Sequence, residues 1–248
     1  MFRKTIEFIA NKKYVDSKQD QPVPIKLNIP EWYKKLKHDL SQRTIKGCMP
    51  FLDSLTTGYL LKVPVDIIIK HNVKNEETGE RDGFWRTGDI DETLMRQERI
   101  NVNRPKPDVH SHTQLKGSPA VDKNKKLPFY KISNPWIIKT PPGYSCLFVP
   151  PLNNTDDRFS IIPGIVDTDS YKQEVNFPIV INGDKYDVLD TIIKKGTPYV
   201  QIIPFKRDNW KMKITGESSV KLKERAMFFP FTILDNYKNN FWSKKSWT

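Results

Sequence analysis

Hydrophobic positions along this chain recur in different rhythms, and each rhythm predicts its own kind of element. Tyr59, Leu61, Val63, Val65, Ile67 and Ile69 stand at every second position, which puts one set of side chains on one face of an extended chain and predicts a strand over 59–69. After residue 140, short apolar runs alternate with sharp turns: Ser145–Val149, Phe159–Ile162, Val175–Ile181, Thr191–Ile193, Tyr199–Phe205 and Trp210–Ile214. Strands this short at this spacing predict a mainly β molecule (barrel, sandwich or clip) rather than a parallel sheet with helical crossovers. Helical spacing is confined to a few places. Met49, Phe51, Leu52 and Leu55 fit one or two turns between Gly47 and Gly58, and Phe231, Leu234, Tyr237 and Phe241 predict a docked C-terminal helix over Phe231–Trp242. Pro30 and Glu31 stand where a first helical turn prefers them, so a short helix is expected over Glu31–Leu40, after an extended connector at Pro22–Pro30 and a short strand at Lys4–Ile9.

These elements divide one elaborated domain into regions. An N-terminal strand-and-helix arm occupies 1–46, a β core 47–71 and 132–215, and a helix with an aromatic tail 216–248. Between the two core stretches, 72–131 is polar and has too few large apolar residues to build a core of its own, so it reads as an insertion of hairpins and loops.

Composition narrows the function classes. With 248 residues, 37% hydrophobic and 28% charged, the chain is an ordinary folded protein rather than a disordered one. No apolar run reaches the roughly 20 residues of a membrane helix, and the start lacks the pattern of a secretion signal. The expected location is a virion or a host cytoplasm, with no membrane partner. Cys48 and Cys146 are too few for a disulfide framework and are expected as reduced, buried thiols. The net charge of +12 suits a polyanion, which keeps a nucleic-acid-binding module open as one function. The lysines are spread along the chain, however, as they are on solvated faces.

Candidate chemistry is sparse. No phosphate-binding Gly-x-x-x-x-Gly-Lys, Cys-x-x-Cys or Gly-x-Ser-x-Gly occurs. His110 and His112 stand at strand spacing, but no further ligand accompanies them, so a surface loop is expected and neither metal nor other cofactor.

Three segments carry a resemblance: Pro141-Pro142-Gly143-Tyr144 leading to Pro150-Pro151, then Pro163-Gly164-Ile165-Val166-Asp167-Thr168-Asp169-Ser170-Tyr171, then Lys195-Gly196-Thr197-Pro198-Tyr199-Val200-Gln201. In order, they resemble the signatures of trimeric dUTPases and dCTP deaminases, and Thr57-Gly58-Tyr59 is similar to an earlier Gly-Tyr-Asp signature. The resemblance implies a dUTPase-like β-clip of short strands, with a polar insertion and short flanking helices. Gly143, Gly164 and Gly196 would supply positive backbone angles at its hairpins. It further implies that Asp167 activates water, Tyr171 stacks on a sugar and Gln201 holds a phosphate. Read from turn chemistry alone, Asp167 and Asp169 form a side-chain-to-backbone turn, Tyr171 covers it, and Gln201 ties neighbouring strands.

The departures from the family pattern matter more than the matches. Pro151 replaces an arginine, Leu60 replaces the acid of the first signature, and no glycine-rich flap closes the chain. Losing that cation and acid removes the main electrostatic support for phosphoryl chemistry, which leaves at most a vestigial nucleotide pocket at Asp167, Tyr171 and Gln201. The whole chain is also similar to an uncharacterised family associated with tailed phages, through Thr44-Ile45-Lys46-Gly47-Cys48-Met49-Pro50-Phe51 and the Gly164–Asp169 run. The resulting expectation is a non-enzymatic oligomer, a trimer by analogy, that contacts other virion or assembly proteins through Phe241, Trp242 and Trp247. The alternatives are a nucleotide-binding or nucleotide-hydrolysing dUTPase-like protein and the nucleic-acid module.

Overall fold

The computed structural model describes residues 4–87, 108–153, 156–221, 223 and 236–248. In chain order its strands are β1 (Glu7–Ile9), β2 (Val23–Pro24), β3 (Tyr59–Lys62), β4 (Ile67–Lys74), β5 (Arg81–Thr87), β6 (Asp108–His110) and β7 (Phe129–Ile132). There follow β8 (Ile137–Lys139), β9 (Tyr144–Val149), β10 (Phe159–Ile161), β11 (Gly164–Val166), β12 (Phe177–Ile181), β13 (Leu189–Ile193) and β14 (Pro198–Lys206). Helices are short: α1 (Lys12–Val15), α2 (Glu31–Lys35) and α3 (Met49–Thr56), with further single turns at Pro119–Lys123 and Asn236–Asn240. The molecule is mainly β.

Among the described residues four antiparallel sheets organise the strands. The largest has the order β11-β9-β14-β3-β2, a second runs β10-β12-β7-β6, a third β13-β4-β5, and β1 pairs with β8. One core joins them: Ile67 and Ile69 of β4, Phe148 of β9, Ile179 and Ile181 of β12 and Ile202 of β14 all lie in a single buried cluster. Burying a side chain of this size contributes about 1.5–3 kcal/mol each.

The alternation over 59–69 does not make one strand. Pro64 has no N–H for a ladder, so the chain bends between Val63 and Asp66 and the run splits into β3 and β4, which enter different sheets. The bend is tied down from the far end of the sequence. The Val63 N–H donates to the Thr197 carbonyl at 2.8 Å, and the Gly196 N–H donates to the Val63 carbonyl at 2.8 Å. Both flanks of the bend still bury the predicted face, with Leu61, Val63, Ile67 and Ile69 in the core.

The helix expected over Glu31–Leu40 stops at Lys35, because Leu36 takes an extended ψ of 133°. Lys46 explains the early end: its ammonium donates to the carbonyls of Lys34 at 2.9 Å and Leu36 at 2.8 Å, satisfying acceptors that a longer helix would have used. Of the C-terminal helix, Asn236–Asn240 is present, while 231–235 lie outside the described residues. The strand expected at Trp210–Ile214 does not form, since among the described residues no neighbouring strand pairs with it.

Two glycines are required by the backbone. Gly143 has φ of +83° at the third position of a turn closed by Tyr144 N–H to the Pro141 carbonyl at 3.2 Å, the place where a type II turn needs glycine after proline. Gly58 also has φ of +83°, and a Cβ there would collide with the Ile202 carbonyl. Gly164 differs from expectation, because it is an ordinary residue of β11 and not a positive-φ hinge.

Candidate functional site

Two turns meet where β14 ends. The Gly143 turn enters β9, and the turn beginning at Asp167 leaves β11, which pairs with β9 on the side away from β14. Arg207, the residue after β14, lies across both. Its backbone N–H donates to the Gly143 carbonyl at 2.8 Å, and one guanidinium nitrogen donates to the Tyr144 carbonyl at 3.1 Å and to Ser145 Oγ at 3.0 Å. The same guanidinium forms a two-pronged pair with Asp169 and approaches Asp167 Oδ1 at 3.3 Å.

Asp167 is therefore engaged. Its carboxylate accepts from Ser145 Oγ at 2.6 Å, and its backbone carbonyl accepts the Tyr171 N–H at 2.9 Å. Asp169 is held more tightly, with its side chain 11% exposed against 60% for Asp167. The Arg207 hydrogen bonds and the Gly143 N–H lower its pKa to about 2, so it remains a carboxylate at any ordinary pH. Beneath them, Thr168 Oγ1 bonds Thr140 Oγ1 at 2.7 Å and donates to the Cys146 sulfur at 3.3 Å, while burial pushes the Cys146 thiol up to about 11. That thiol is an inert core group. Tyr171 is exposed on the turn.

Gln201 lies elsewhere. It pairs with Val149 at the far end of β9 from Ser145, four residues or about 13 Å along the strand. Fully buried, its Oε1 accepts from the Leu152 N–H at 2.9 Å and its amide nitrogen donates to the Thr57 carbonyl at 2.8 Å. Within one chain, Asp167 and Tyr171 are brought together and Gln201 is not.

The aromatic tail turns back onto the molecule. The Trp242 indole N–H reaches both carboxylate oxygens of Asp53 on α3 at 3.1–3.2 Å, and Lys245 joins the same carboxylate at 2.6 Å. Trp247 packs edge-on against Tyr59 with centroids 6.0 Å apart, and the Tyr59 hydroxyl donates to the Thr248 carbonyl at 3.3 Å. Phe241 is exposed beside Tyr237. His110 bonds Gln114 at 2.6 Å, and no cluster of metal-binding side chains occurs among the described residues.

Sequence reasoning missed two things. One is Arg207, a cation that reaches Asp167 from a different segment than the one where Pro151 had replaced it; no spacing rule links 207 to 167. The other is the state of residues 208–215. Among the described residues they have no strand partner, and Trp210 is 91% exposed, Met212 82% and Ile214 86%. The alternation of these three with Lys211 and Lys213 was visible, but the absence of a neighbour was not.

No family model matches the chain, and no curated protein does. Among solved structures it is similar to a mutant dUTPase from phage phi11 of S. aureus at 10% identity. That alignment covers 86% of this chain and 97% of the other, with a TM-score of 0.34, and no argument about this chain follows from a likeness at that score.

Proposed function

We propose that this chain is a non-enzymatic, self-associating structural protein whose main contact element is the exposed arm 208–215. The observation that supports it is the arm itself: three large apolar side chains at period two, almost fully in water and rooted by Arg207 in a rigid cluster. Exposed apolar groups in such a run mark a surface that another protein covers. The side chains that would serve nucleotide chemistry have other partners, Asp167 in Ser145 and Arg207 and Gln201 in backbone groups. A phage virion or assembly component, contacting other assembly proteins and threefold by the sequence resemblance, is the setting this reading takes. Replacing Trp210, Met212 and Ile214 together by serine should reduce the assembled mass measured by light scattering to the 29.0 kDa of one chain. An unchanged mass would overturn the reading.

Nucleotide binding or hydrolysis is the second reading, and what favours it is that the Asp167 carboxylate, though engaged, is still 60% exposed on its turn. Turnover of a deoxynucleoside triphosphate with magnesium, lost in Asp167→Asn, would install it in place of the first.

A further inference from the structure

We propose that the arm docks on a second copy of this chain, laying its apolar face over a row formed by Ile165, Leu147 and Ile203 on the outer face of the five-stranded sheet. The inference rests on the self-association reading and names the receiving surface. Successive side chains of a strand point to opposite faces. Cys146 and Phe148 of β9 and Val200 and Ile202 of β14 are buried in the core, so Leu147 and Ile203 point away from it. Pairing aligns them: Leu147 lies opposite Ile203 on one side and Ile165 of the edge strand β11 on the other. The row is apolar across three strands and opens outward, from half-buried at Ile203 and Leu147 to 63% exposed at Ile165.

The covering of this face stops just short of the row. Two residues along, Gln201 donates to the carbonyls of Ser54 on α3 and of Thr57 just beyond it, and its neighbour Leu60 is buried. Nothing comparable among the described residues covers Ile165.

The arm matches what is open. Trp210, Met212 and Ile214 span about 13 Å at extended spacing, and three strands span about 10 Å. Lys211 and Lys213, on the opposite side of the arm, would stay in water. A second copy is favoured as occupant because arm and row are neighbours. Arg207, the root of the arm, is held by Asp167, the residue that directly follows β11. Copies set around a threefold axis can therefore each give an arm to the next and receive one from the last, so that every uncovered surface is closed. Trp210 alone offers roughly 150–250 Å² of contact, and giving one arm while receiving another doubles what one arm contributes to each copy. The same clamp directs the chain off the end of the sheet and away from its own row, since the Arg207 N–H continues the pairing of β14 with β9 by donating to Gly143.

The test mixes two full-length proteins in a Cys48→Ser background, one carrying Ile165→Cys and the other Met212→Cys, under mild oxidation. The expected result is a covalent product of twice the 29.0 kDa chain mass that forms in the mixture and exceeds what either protein forms alone. Ile165→Lys, at an exposed position that does not threaten folding, should abolish assembly as the arm variant does. If the wild-type chain assembles but gives no mixed product, and Ile165→Lys assembles normally, the docking row is wrong while self-association stands. If wild type is a monomer throughout, the underlying reading fails. A chain carrying both cysteines that closes only on itself, at single-chain mass, would show that the arm covers its own sheet and would also overturn the proposal.

Discussion

His71 is fully buried in β4, and neither ring nitrogen meets a hydrogen-bond partner. Burial lowers its pKa from 6.5 to about 4, outweighing the opposing influence of the nearby Asn124 backbone, and the Lys125 charge adds to the lowering. The unfolded chain therefore takes up a proton near pH 6.5 that the folded chain refuses until about pH 4. Stability should be full above pH 6.5 and fall by roughly 1–3 kcal/mol as pH drops to about 4. Urea midpoints across that range check it, with His71→Phe flattening the slope. Gln201→Leu should cost about 1–3 kcal/mol by removing the buried amide that bonds the Leu152 N–H and the Thr57 carbonyl, whereas Tyr171→Ala on the exposed turn should change the same midpoint little. At this scale the strand-tying role of Gln201 was legible in the sequence, from a polar residue inside an apolar strand. The side-chain-to-backbone turn expected of Asp167 and Asp169 does not form: the Asp167 carboxylate accepts from Ser145 Oγ, and Asp169 accepts from the Gly143 N–H of the other turn. Arg207 was not legible, because its partners lie about 40 to 60 residues away and only the pairing of β9 with both β14 and β11 brings them together.

Elements were legible wherever a local pattern decides them. The strands β9, β10, β12, β13 and β14 and the α3 turns follow directly from apolar spacing, whereas β11 was not expected and the strand expected at Trp210–Ile214 does not form. The failures have local causes of a different kind: a proline that splits the run at 59–69, and a lysine ammonium that ends α2 early. The tail belongs to this scale too. It is held to α3 by Asp53, which accepts from both Trp242 and Lys245. Asp53→Ala should weaken tail docking by about 1 kcal/mol. Hydrogen–deuterium exchange should then rise severalfold across 236–248 and stay unchanged in β9 and β14.

For the whole molecule, charge and apolar surface make opposite predictions about what it binds. A protein of net charge +12 that worked through nucleic acid would lose affinity steeply as salt rises. Contact through Trp210, Met212 and Ile214 is apolar, so raising sodium chloride from 0.1 to about 1 M should leave the assembled fraction undiminished. The most direct measurement is sedimentation velocity of the full chain over a wide concentration range. The account predicts a species heavier than 29.0 kDa that dissociates on dilution and is missing in the Trp210, Met212 and Ile214 triple serine variant. A single 29.0 kDa species at every concentration would contradict it.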